Sequence, residues 1–415
     1  MIIDCEKNII KKESTNMRRS EHAINFIFFS ITLFVFSVGF LTIACFAMQN
    51  KNSNVPPRGI PPSTNPSVGP PGAPSDAISP IEAMGYGDFR GVIHAHSYMS
   101  HDSEGTASRM IQAAQTVGAQ FILMTDHPSA YSVNHGLRGL HGGVFFLPGV
   151  ELASSDGSIL AIGLQENIHT RDTQSAIDEI LRQGGVALFG HIEGIKDWDA
   201  VGWDGMEIYN THYDAILDGK IDKTIALIPR LEKEPDRVWL SILDKPTLYL
   251  NAWDTVLKKR RVTGVAANDS HENVIYNGIQ LDTYERSYGL VNTHLFLMEL
   301  SEAEILKALK LGHAYVCFEV FSSCRGFSFT ATDGKNIAIM GDDFTIGKEA
   351  ASTLAVSIPK EAKIQLLKDG KIIKESTEKS FSMDLSETGV YRVEVYMQVG
   401  KKFQPWIYSN PIYVR

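Results

Sequence analysis

The sequence has no excess of positive charge. Its 415 residues contain 39 Lys and Arg against 48 Asp and Glu, which gives a formal net charge of −9. A protein that binds nucleic acid through the phosphate backbone needs a basic surface, so this balance argues against nucleic acid as a partner. The hydrophobic content of 44% and the charged content of 21% are ordinary for a folded protein.

Cysteine is also scarce. Of the four in the chain, Cys5 and Cys45 belong to the N-terminal segment, and Cys317 and Cys324 stand seven positions apart. In an exported protein the second pair can form a disulfide that closes a small loop, but two buried free thiols fit the spacing as well. The sequence leaves both alternatives open. It contains no Gly-x-Ser-x-Gly motif and no Ser-His-Asp set that would indicate a covalent hydrolase.

Charge is absent from one long run near the N-terminus, residues 26–48, which is long enough to cross a bilayer as a helix. The basic residues before it are Lys11, Lys12, Arg18 and Arg19. They favour an N-terminus that stays in the cytoplasm. An uncleaved anchor, a secretory signal cleaved after Ala47, and a lipoprotein signal at Cys45 all fit this layout. Each of the three puts the rest of the chain in the cell envelope or outside the cell.

Composition divides the chain into five segments. Residues 49–80 carry nine of the 17 prolines, with Ser, Asn and Gly between them. Such a segment cannot bury enough apolar surface to fold, so it is predicted to be an extended linker. We therefore expect a cytoplasmic N-terminus at 1–22, a transmembrane anchor or signal segment at 23–48, and this linker at 49–80. Two folded parts follow, at 81–313 and 314–415.

The first folded part alternates apolar strands with amphipathic helices. The predicted helices cover residues 106–118, 172–182, 211–232, 248–259 and 302–311. The predicted strands include residues 91–93, 121–124, 144–147, 186–189, 206–209 and 262–267. Strands that alternate with helices indicate an α/β fold with a parallel sheet or barrel.

The second folded part contains short alternating runs and no helical pattern. The predicted strands cover residues 314–319, 326–332, 353–358, 363–367, 390–397 and 409–414. Asp369-Gly370 between two of these runs is a hairpin signal, because Asp-Gly is a favoured two-residue turn. The sequence therefore predicts an all-β, sandwich-like domain of about a hundred residues.

Histidines and carboxylates follow the predicted strands of the first part. His94 and His96 come directly after the run 91–93, and Asp269 and His271 come after 262–267. Because successive side chains in a strand alternate between its two faces, we expect the members of each pair to point to the same side.

Three more polar residues close apolar runs in the same way, namely His127, Glu151 and His191. In a barrel of parallel strands, the side chains at the carboxyl ends of the strands meet at one mouth. Imidazole and carboxylate together are suitable ligands for borderline divalent ions such as Zn, Mn or Fe. The sequence therefore predicts a metal site with more than one ion.

In order and residue type these motifs resemble the PHP family, the polymerase and histidinol phosphatase superfamily of metal-dependent phosphoesterases. The matching segments are HAHSYMSHDSEGT (94–106), LMTDH (123–127), PGVE (148–151), GH (190–191), GMEIYNTH (205–212) and NDSH (268–271). The resemblance covers residues 85–313. The family usually has proline where Ile192 stands and often Thr where Ser97 stands. A weaker similarity connects the whole chain to exported proteins of the carbaryl hydrolase type, which have a β domain after the barrel.

The resemblance implies a distorted (β/α)7 PHP barrel, followed here by the sandwich-like domain, and two or three divalent metal ions (Mn, Zn or Fe). The ligands that match the family motifs are His94, His96, Asp102, His127, Glu151, His191, His212, Asp269 and His271. In that set Asp102 competes with His101, and His212 competes with Asn210. His191, His212 and Asp102 are the candidates for a direct part in the reaction.

The other polar residues have more ordinary interpretations. Asp126 is expected to orient a helix N-terminus or the ring of a ligand. Lys196, Arg138 and Lys245 are candidates for contacting phosphate, but a solvated surface charge is the preferred interpretation of each. The remaining histidines are expected to be structural or surface residues, namely His22, His135, His141, His169, His294 and His313.

The predicted function is that of a metal-dependent hydrolase of ester bonds, and first of all a phosphoesterase that uses a metal-bridging hydroxide on phosphate monoesters or diesters. One alternative is a carboxyl or carbamate ester hydrolase on the same metal site. Another is a non-catalytic envelope protein that binds metal or ligand. The expected partners are a small-molecule ester and, through the N-terminal helix, the membrane. The motifs do not specify the substrate or the oligomeric state.

Overall fold

The computed structural model describes residues 79–214, 230, 235–276, 279–347 and 351–415. The predicted anchor or signal segment and nearly all of the predicted linker lie outside these residues, as does most of the helix predicted at 211–232. Within the described part of the chain, no helix is long and apolar enough to cross a membrane. Pro74–Arg415 forms one compact unit.

The described residues up to 312 contain both strands and helices, as the sequence predicts, but the five strands between Phe121 and Ile162 follow one another without a helix. The strands are β1 (Gly87–Ala95), β2 (Phe121–Met124), β3 (Gly139–His141), β4 (Val144–Leu147), β5 (Gly149–Ala153), β6 (Ser158–Ile162), β7 (Val186–Gly190), β8 (Gly205–Asn210), β9 (Thr263–Ala267), β10 (Ile275–Tyr276), β11 (Ile279–Gln280) and β12 (Asn292–Leu297). The helices are α1 (Pro80–Ala83), α2 (Ala107–Val117), α3 (Thr173–Arg182), α4 (Pro235–Ile242), α5 (Thr247–Leu257), α6 (Tyr284–Leu290) and α7 (Glu302–Leu311).

Local signals fix the ends of the predicted helices. Thr106 caps α2 by accepting a hydrogen bond from the backbone of Arg109, and Gly118 ends the helix in the left-handed conformation with φ of 77°. Asp172 caps α3 in the same way, through the backbone of Ser175. These helices therefore begin and end where their sequences predict.

Seven strands form a closed ring. Parallel pairing joins β1 to β2, β7 to β8 and β8 to β9, and antiparallel pairing joins β5 to β6 and β6 to β7. Two isolated parallel bridges close the circuit, one between Asp126 and Val150 and the other between Ala95 and Ser270. The first connects the end of β2 to β5, and the second connects the end of β1 to the segment after β9. The mixed α/β fold is thus confirmed.

The direction of β6 differs from the parallel arrangement that the sequence analysis expects. The loop between β5 and β6 covers only residues 154–157, and a parallel connection needs a crossover of a dozen or more residues. The chain therefore turns back as a hairpin, and β6 runs antiparallel to both of its neighbours.

The inside of the ring is filled by apolar side chains. Five strands each contribute one completely buried residue to the same cluster: Ile93, Leu123, Leu160, Leu188 and Val265. Such a packed interior leaves no channel and confines polar chemistry to the strand ends.

The chain after Gly312 contains only strands in its described part, as predicted. They are β13 (Ala314–Cys317), β14 (Ser328–Thr332), β15 (Ile337–Ile339), β16 (Asp343–Phe344), β17 (Thr353–Ser357), β18 (Lys363–Lys368), β19 (Lys371–Ser376), β20 (Ser380–Asp384), β21 (Gly389–Val399), β22 (Lys402–Ser409) and β23 (Ile412–Val414). One sheet has the order β15-β14-β17-β20, and the other strands extend the sheet that contains β1 and β12.

These two sheets share a hydrophobic core. Phe329 and Val356 come from the four-stranded sheet, Val393 and Trp406 come from the larger one, and all four lie in one buried cluster. The larger sheet runs without interruption across residue 313, because β13 pairs with β12 on one side and with β22 on the other. The boundary predicted there is therefore bridged by backbone hydrogen bonds.

Two local predictions in this part have clear outcomes. Asp369 and Gly370 form the turn between β18 and β19, and both have positive φ, 51° and 78°, as a tight two-residue hairpin requires. Cys317 and Cys324 are joined as a disulfide. The structure thus contains a disulfide at this pair and not two free thiols.

Candidate metal centre

The predicted ligands converge at one end of the ring, where the carboxyl ends of its strands meet. His94 lies at the end of β1, Glu151 lies in β5, and His127, His191 and Asp269 follow β2, β7 and β9. His94 and His96 are completely buried, and Glu151 and Asp269 are nearly so.

The donor atoms form three overlapping groups, each with its atoms within 4.8 Å of one another. The groups are His96, Asp102, His127 and His271; His94, His96 and Glu151; and His94, His191 and Asp269. His94 and His96 each belong to two groups, so the groups are contiguous. Eight of the nine predicted ligands are brought together in this way, and His212 is outside the groups.

The backbone at His94 departs from the regular alternation that the sequence analysis assumes. The pairing of β1 with β2 shifts register between Ile93 and Ala95, and His94 has a left-handed φ of 64°. His191 and Asp269 also have positive φ, 48° and 49°. An irregular backbone of this kind, which costs on the order of 1 kcal/mol per residue, aims these side chains into the site. The side chains of His94 and His96 point into the same site, and so do those of Asp269 and His271. The irregular backbone at His94 and Asp269, and not a period of two, is the cause.

The rings of four site histidines are held through Nδ1. The Nδ1 atom lies 2.6 Å from Glu207 in His94, 2.9 Å from Ser100 in His96, 3.2 Å from Glu193 in His191 and 3.1 Å from the backbone oxygen of Asp269 in His271. A metal-binding histidine is oriented in this way, with one nitrogen hydrogen-bonded and the other presented to the ion.

Among the residues that the structure describes, the opposite nitrogens of His94 and His96 have no hydrogen-bond partner, although both atoms are buried. His94 Nε2 lies 3.3 Å from both Glu151 and Asp269, and His96 Nε2 lies 3.5 Å and 3.6 Å from the same carboxylates, without hydrogen-bond geometry. A buried polar atom without a partner is costly, and a shared cation satisfies these four groups at once. The donor set therefore fits divalent metal ions.

The charges of the site compensate each other. Burial by itself lowers the pKa of His94, but the carboxylates of Asp269 and Glu151 outweigh burial and raise that pKa well above its ordinary value. Burial raises the carboxyl pKa values, yet His94 keeps the pKa of Glu151 and that of Asp269 well below their ordinary range. Burial also lowers the pKa of His96 to about 4, so this ring is neutral and its Nε2 lone pair can bind a metal.

Glu207 is a site residue that the sequence analysis missed. It is completely buried in β8, and besides its contact with His94 it accepts a hydrogen bond from the backbone of His191 at 2.8 Å. A carboxylate in the middle of an otherwise apolar strand is a detectable signal, because such groups are almost never fully buried without a partner. Within the segment 205–212, only Asn210 and His212 are among the residues predicted for the site.

Glu193 is the second residue that was missed. It accepts a hydrogen bond from Tyr249 and faces His191 Nδ1. Burial lowers the pKa of His191, but its contacts with Glu151 and Glu193 outweigh burial and raise that pKa to about 12. Two carboxylates on opposite sides of one imidazole thus favour a cation at this place. Because Glu193 comes from the short helix after His191 and Tyr249 from α5, no local pattern indicates this arrangement.

The two pairs of competing candidates differ in position. Asp102 Oδ2 lies 3.1 Å from His127 Nε2 and 3.4 Å from His271 Nε2, whereas His101 only places its ring 4.8 Å from that of His127. Asn210 is engaged with Glu207 through its side-chain nitrogen at 3.1 Å. The structure therefore groups Asp102, and not His101, with the histidines.

The contacts of four other polar residues differ from those expected of a residue that acts at the site. Asp126 accepts hydrogen bonds from the backbone and hydroxyl of Ser97, so it holds the loop after His96. The three candidate phosphate contacts are paired elsewhere. Arg138 binds Glu302 at 2.5 Å, Lys196 binds the backbone oxygen of Ser155 at 3.1 Å, and Lys245 binds Glu394 at 2.8 Å.

A fourth group of potential donors lies apart from these three, at His294, Cys317 and Glu319. Cys317 is bonded to Cys324, so it offers no thiolate. His294 uses both ring nitrogens, one on Asp88 at 2.7 Å and one on Glu319 at 3.1 Å. This histidine is structural, as the sequence analysis expects.

A cavity of about 510 Å³ opens beside the metal ligands. Asp102, His127, Glu151, His191 and Asp269 line one side of it. His212 also lines the cavity, with its ring 6.5 Å from that of His271. A substrate in this cavity therefore contacts the ligand cluster directly.

Two solved structures resemble the chain. One is a two-domain protein from Bacteroides vulgatus that contains a predicted PHP-like metal-dependent phosphoesterase; it is 16% identical, covers 79% of this chain and 96% of its own, and has a TM-score of 0.40. The other is a candidate metal-dependent phosphoesterase from Bifidobacterium adolescentis; it is 11% identical, covers 46% of this chain and 91% of its own, and has a TM-score of 0.28.

Both neighbours are of the kind that the motifs predict. No family model matches the chain, and no curated protein matches it. The similarity to proteins of the carbaryl hydrolase type stays a prediction.

Proposed function

We propose that the chain is a PHP-type metal-dependent hydrolase, built on a distorted (β/α)7 barrel with a C-terminal sandwich-like domain, and that it hydrolyses phosphate monoesters or diesters. The observation that carries the proposal is the contiguous donor cluster in which His94 and His96 are each shared by two groups. Their buried Nε2 atoms have no hydrogen-bond partner, which is the arrangement expected of ligands and not of structural histidines.

The proposed metal set is two or three divalent ions, of Mn, Zn or Fe. Imidazole and carboxylate donors suit these ions, and the eight residues of the three overlapping groups provide more donors than a single ion coordinates, with each imidazole nitrogen serving one ion. When bound, such ions supply a nucleophile from water at neutral pH and offset the charge on the phosphoryl oxygens. The chain's own part is to hold each Nε2 in place through the Nδ1 contacts and to keep Glu151 and Asp269 ionised.

His212 is our candidate for proton transfer to the leaving oxygen. It lines the cavity but is outside the three donor groups. His191, the competing candidate, faces Glu193 with one nitrogen and Glu151 with the other, at 3.2 Å and 3.3 Å. A proton donor needs a ring nitrogen within reach of substrate, and His212 meets that requirement better.

A phosphoryl group is the preferred electrophile because it offers several anionic oxygens for simultaneous metal contact, whereas a carboxyl ester offers one. Kinetics with the metal-loaded protein on nitrophenyl phosphate, bis-nitrophenyl phosphate and nitrophenyl acetate test this proposal. We expect the highest kcat/KM on a phosphate ester. A preference for acetate that disappears in Asp269→Asn favours the carboxyl or carbamate esterase instead. Binding of metal without turnover of any ester favours the non-catalytic alternative.

We also propose that the catalytic part is displayed outside the cytoplasm, in the cell envelope or secreted. The uncharged run at 26–48 with its basic flank supports this location, and so does the Cys317–Cys324 disulfide, since such bonds persist in oxidising compartments. The proposed partner is a small-molecule ester, with no nucleic acid. A topology reporter fused after residue 80 tests the location; activity of the reporter in the cytoplasm alone contradicts it.

A further inference from the structure

The lining of the cavity beside the predicted ligands is of two chemical kinds. Besides histidines, carboxylates and other polar groups, it includes a wall of apolar side chains from three separate elements. They are Val238, Trp239 and Ile242 from α4, Val274, Ile275 and Leu281 from the segment around the β10–β11 hairpin, and Leu290 from the end of α6. An apolar wall facing a few convergent polar groups is the usual form of a site that binds an organic molecule.

Several contacts hold this wall in place. Trp239 donates its indole N–H to the backbone oxygen of Leu281 at 3.3 Å, which ties α4 to the hairpin. Asp282 accepts hydrogen bonds from the backbone of Asn273 and of Val274, at 3.0 Å and 2.9 Å, and so closes the hairpin. The wall is therefore built by specific contacts and is not an accidental gap between loops.

Two of its residues are exposed although they are β-branched and apolar. Val274 is 46% exposed and Ile275 is 59% exposed. Exposed apolar residues are common singly, but adjacent ones at the edge of a cavity are typical of a binding surface. A ligand that covers them gains free energy in proportion to the apolar area removed from water.

The described residues that line the cavity include no lysine and no arginine. Arg109, which is near the hairpin, is paired with Glu272 and Glu285 at 2.6 Å and 3.1 Å. The cavity lining instead includes the carboxylate of Asp282, in addition to Asp102 of the donor groups. A second anionic group on the substrate, such as another phosphate or a carboxylate, thus meets no lysine or arginine among the described lining residues and lies near the like charge of Asp282.

We infer that the substrate is a phosphoester whose organic part is apolar and uncharged, of the size of an aryl or branched alkyl group, and that this group binds against the wall formed by Trp239, Ile275 and Leu281. The inference rests on the proposed function and names its substrate class. It excludes nucleotides with further phosphates and phosphorylated acids from the preferred substrates.

Three phosphodiesters with the same nitrophenyl leaving group test the inference. They differ in the second ester substituent, the second arm, which is methyl, naphthylmethyl or 3-carboxypropyl. The metal-loaded protein is expected to have a kcat/KM at least about tenfold higher for the naphthylmethyl diester than for the methyl one, as burial of several apolar carbons implies. It is expected to be slowest on the carboxypropyl diester. Equal values for the three, or a preference for the carboxypropyl arm, overturn the inference.

Ile275→Asp and Ile372→Asp are a matched pair of variants. Both residues are exposed isoleucines, at 59% and 49%, but Ile372 lies on β19, away from the cavity. Ile275→Asp is expected to remove most of the preference for the naphthylmethyl arm, measured as the ratio of kcat/KM on the naphthylmethyl diester to that on the methyl diester. Ile372→Asp is expected to keep the preference. An undiminished preference in Ile275→Asp contradicts the assignment of this wall.

Binding of two non-hydrolysable phosphonates separates this inference from the proposed function. Calorimetry with naphthylmethylphosphonate and methylphosphonate needs no turnover. If no phosphodiester is hydrolysed but the naphthyl compound binds at least about tenfold more tightly, and Ile275→Asp abolishes the difference, the proposed function fails and the apolar site stands. If phosphodiesters are hydrolysed but the two phosphonates bind equally, the apolar site fails and the proposed function stands.

Discussion

Glu207 Oε1 lies 2.6 Å from Nδ1 of His94, and both side chains are completely buried. The second oxygen of the same carboxylate accepts the backbone N–H of His191 at 2.8 Å. Glu207, in the middle of β8, thus orients the ring of His94 and fixes the backbone of His191. Both of those ligands belong to the donor group completed by Asp269.

Glu207→Gln is expected to weaken metal binding by about 10- to 100-fold, because the amide cannot fix the tautomer of His94 as a carboxylate does. Titration with a competing chelator measures the change. The control is Glu378→Gln, which alters an exposed glutamate in the turn before β20. Equal metal affinity in Glu207→Gln and in the control shows that Glu207 does not support the centre.

Asp269→Asn is expected to lower kcat/KM by more than about 100-fold while the protein stays folded. Asparagine tolerates the left-handed φ of 49° at this position and fills the same space, but it removes a charge that binds the ions on which the reaction depends. Kinetics and thermal unfolding of the same preparation measure the two effects. A parallel loss of stability and activity means that Asp269 has a mainly structural role.

His294 gives the metal-free protein a pH-dependent contribution to stability. Burial lowers the pKa of His294, but Asp88 outweighs burial and raises it. Burial raises the pKa of Asp88 and that of Glu319, but His294 outweighs burial and lowers both. The contribution of His294 to the free energy of unfolding is fully present below its unfolded pKa of 6.5 and is lost as the pH rises through its folded pKa. The contributions of Asp88 and Glu319 are fully present above their unfolded pKa values of 3.8 and 4.5 and are lost as the pH falls.

We therefore expect His294→Asn to reduce the free energy of unfolding most between pH 4.5 and 6.5, where the contributions of all three residues are fully present. The difference from the wild-type protein is expected to narrow above neutral pH and below pH 3.8. Urea unfolding of both metal-free proteins across this range measures it. A difference that is the same at every pH contradicts an ionic role for this buried triad.

The disulfide between Cys317 and Cys324 is expected to stabilise the protein by about 2 kcal/mol, since it closes a short loop in the unfolded chain. Replacement of both residues by serine is expected to lower the free energy of unfolding by this amount under oxidising conditions. Addition of a reductant is expected to bring the wild-type protein to the level of the variant. Unfolding curves that do not respond to the reductant show that the two thiols are free.

The helices α2, α3, α5 and α7 and about half of the strands are predictable because their signals are local, whereas α4, α6 and β12 are not among the predicted elements. Glu302–Leu311 has its boundaries where the sequence predicts them, and Thr106 and Gly118 mark both ends of α2. The ligand histidines are predictable for a related reason, since each follows an apolar strand and matches a motif of known order. What these features share is that a few neighbouring residues determine them.

The supporting residues are not predictable in this way. Glu207 and Glu193 act on His94 and His191 through contacts that depend on how β8 and α5 pack, and no spacing in the sequence records that packing. The bulge at His94 is another case, since only the pairing of β1 with β2 reveals it. Local patterns thus identify which residues are ligands, and tertiary packing determines how they are aimed.

One basic run, residues 258–261, shows why charge along the sequence is an incomplete guide to partners. Arg260 donates to the backbone oxygen of Trp203 and stacks on its ring, and Arg261 pairs with Asp343 at 2.6 Å. Half of this run is therefore engaged within the fold. It does not alter the argument from net charge against nucleic acid.

The metal content of the purified chain tests the central claim most directly. After metal removal and reconstitution with Mn or Zn, followed by removal of the free ion, elemental analysis is expected to find two or three divalent ions per chain. The expectation follows from the eight potential donors of the three overlapping groups, which are more than a single ion coordinates. A value of one ion or fewer per chain, in protein that is folded by circular dichroism, contradicts a multinuclear metal centre and the hydrolytic function proposed from it.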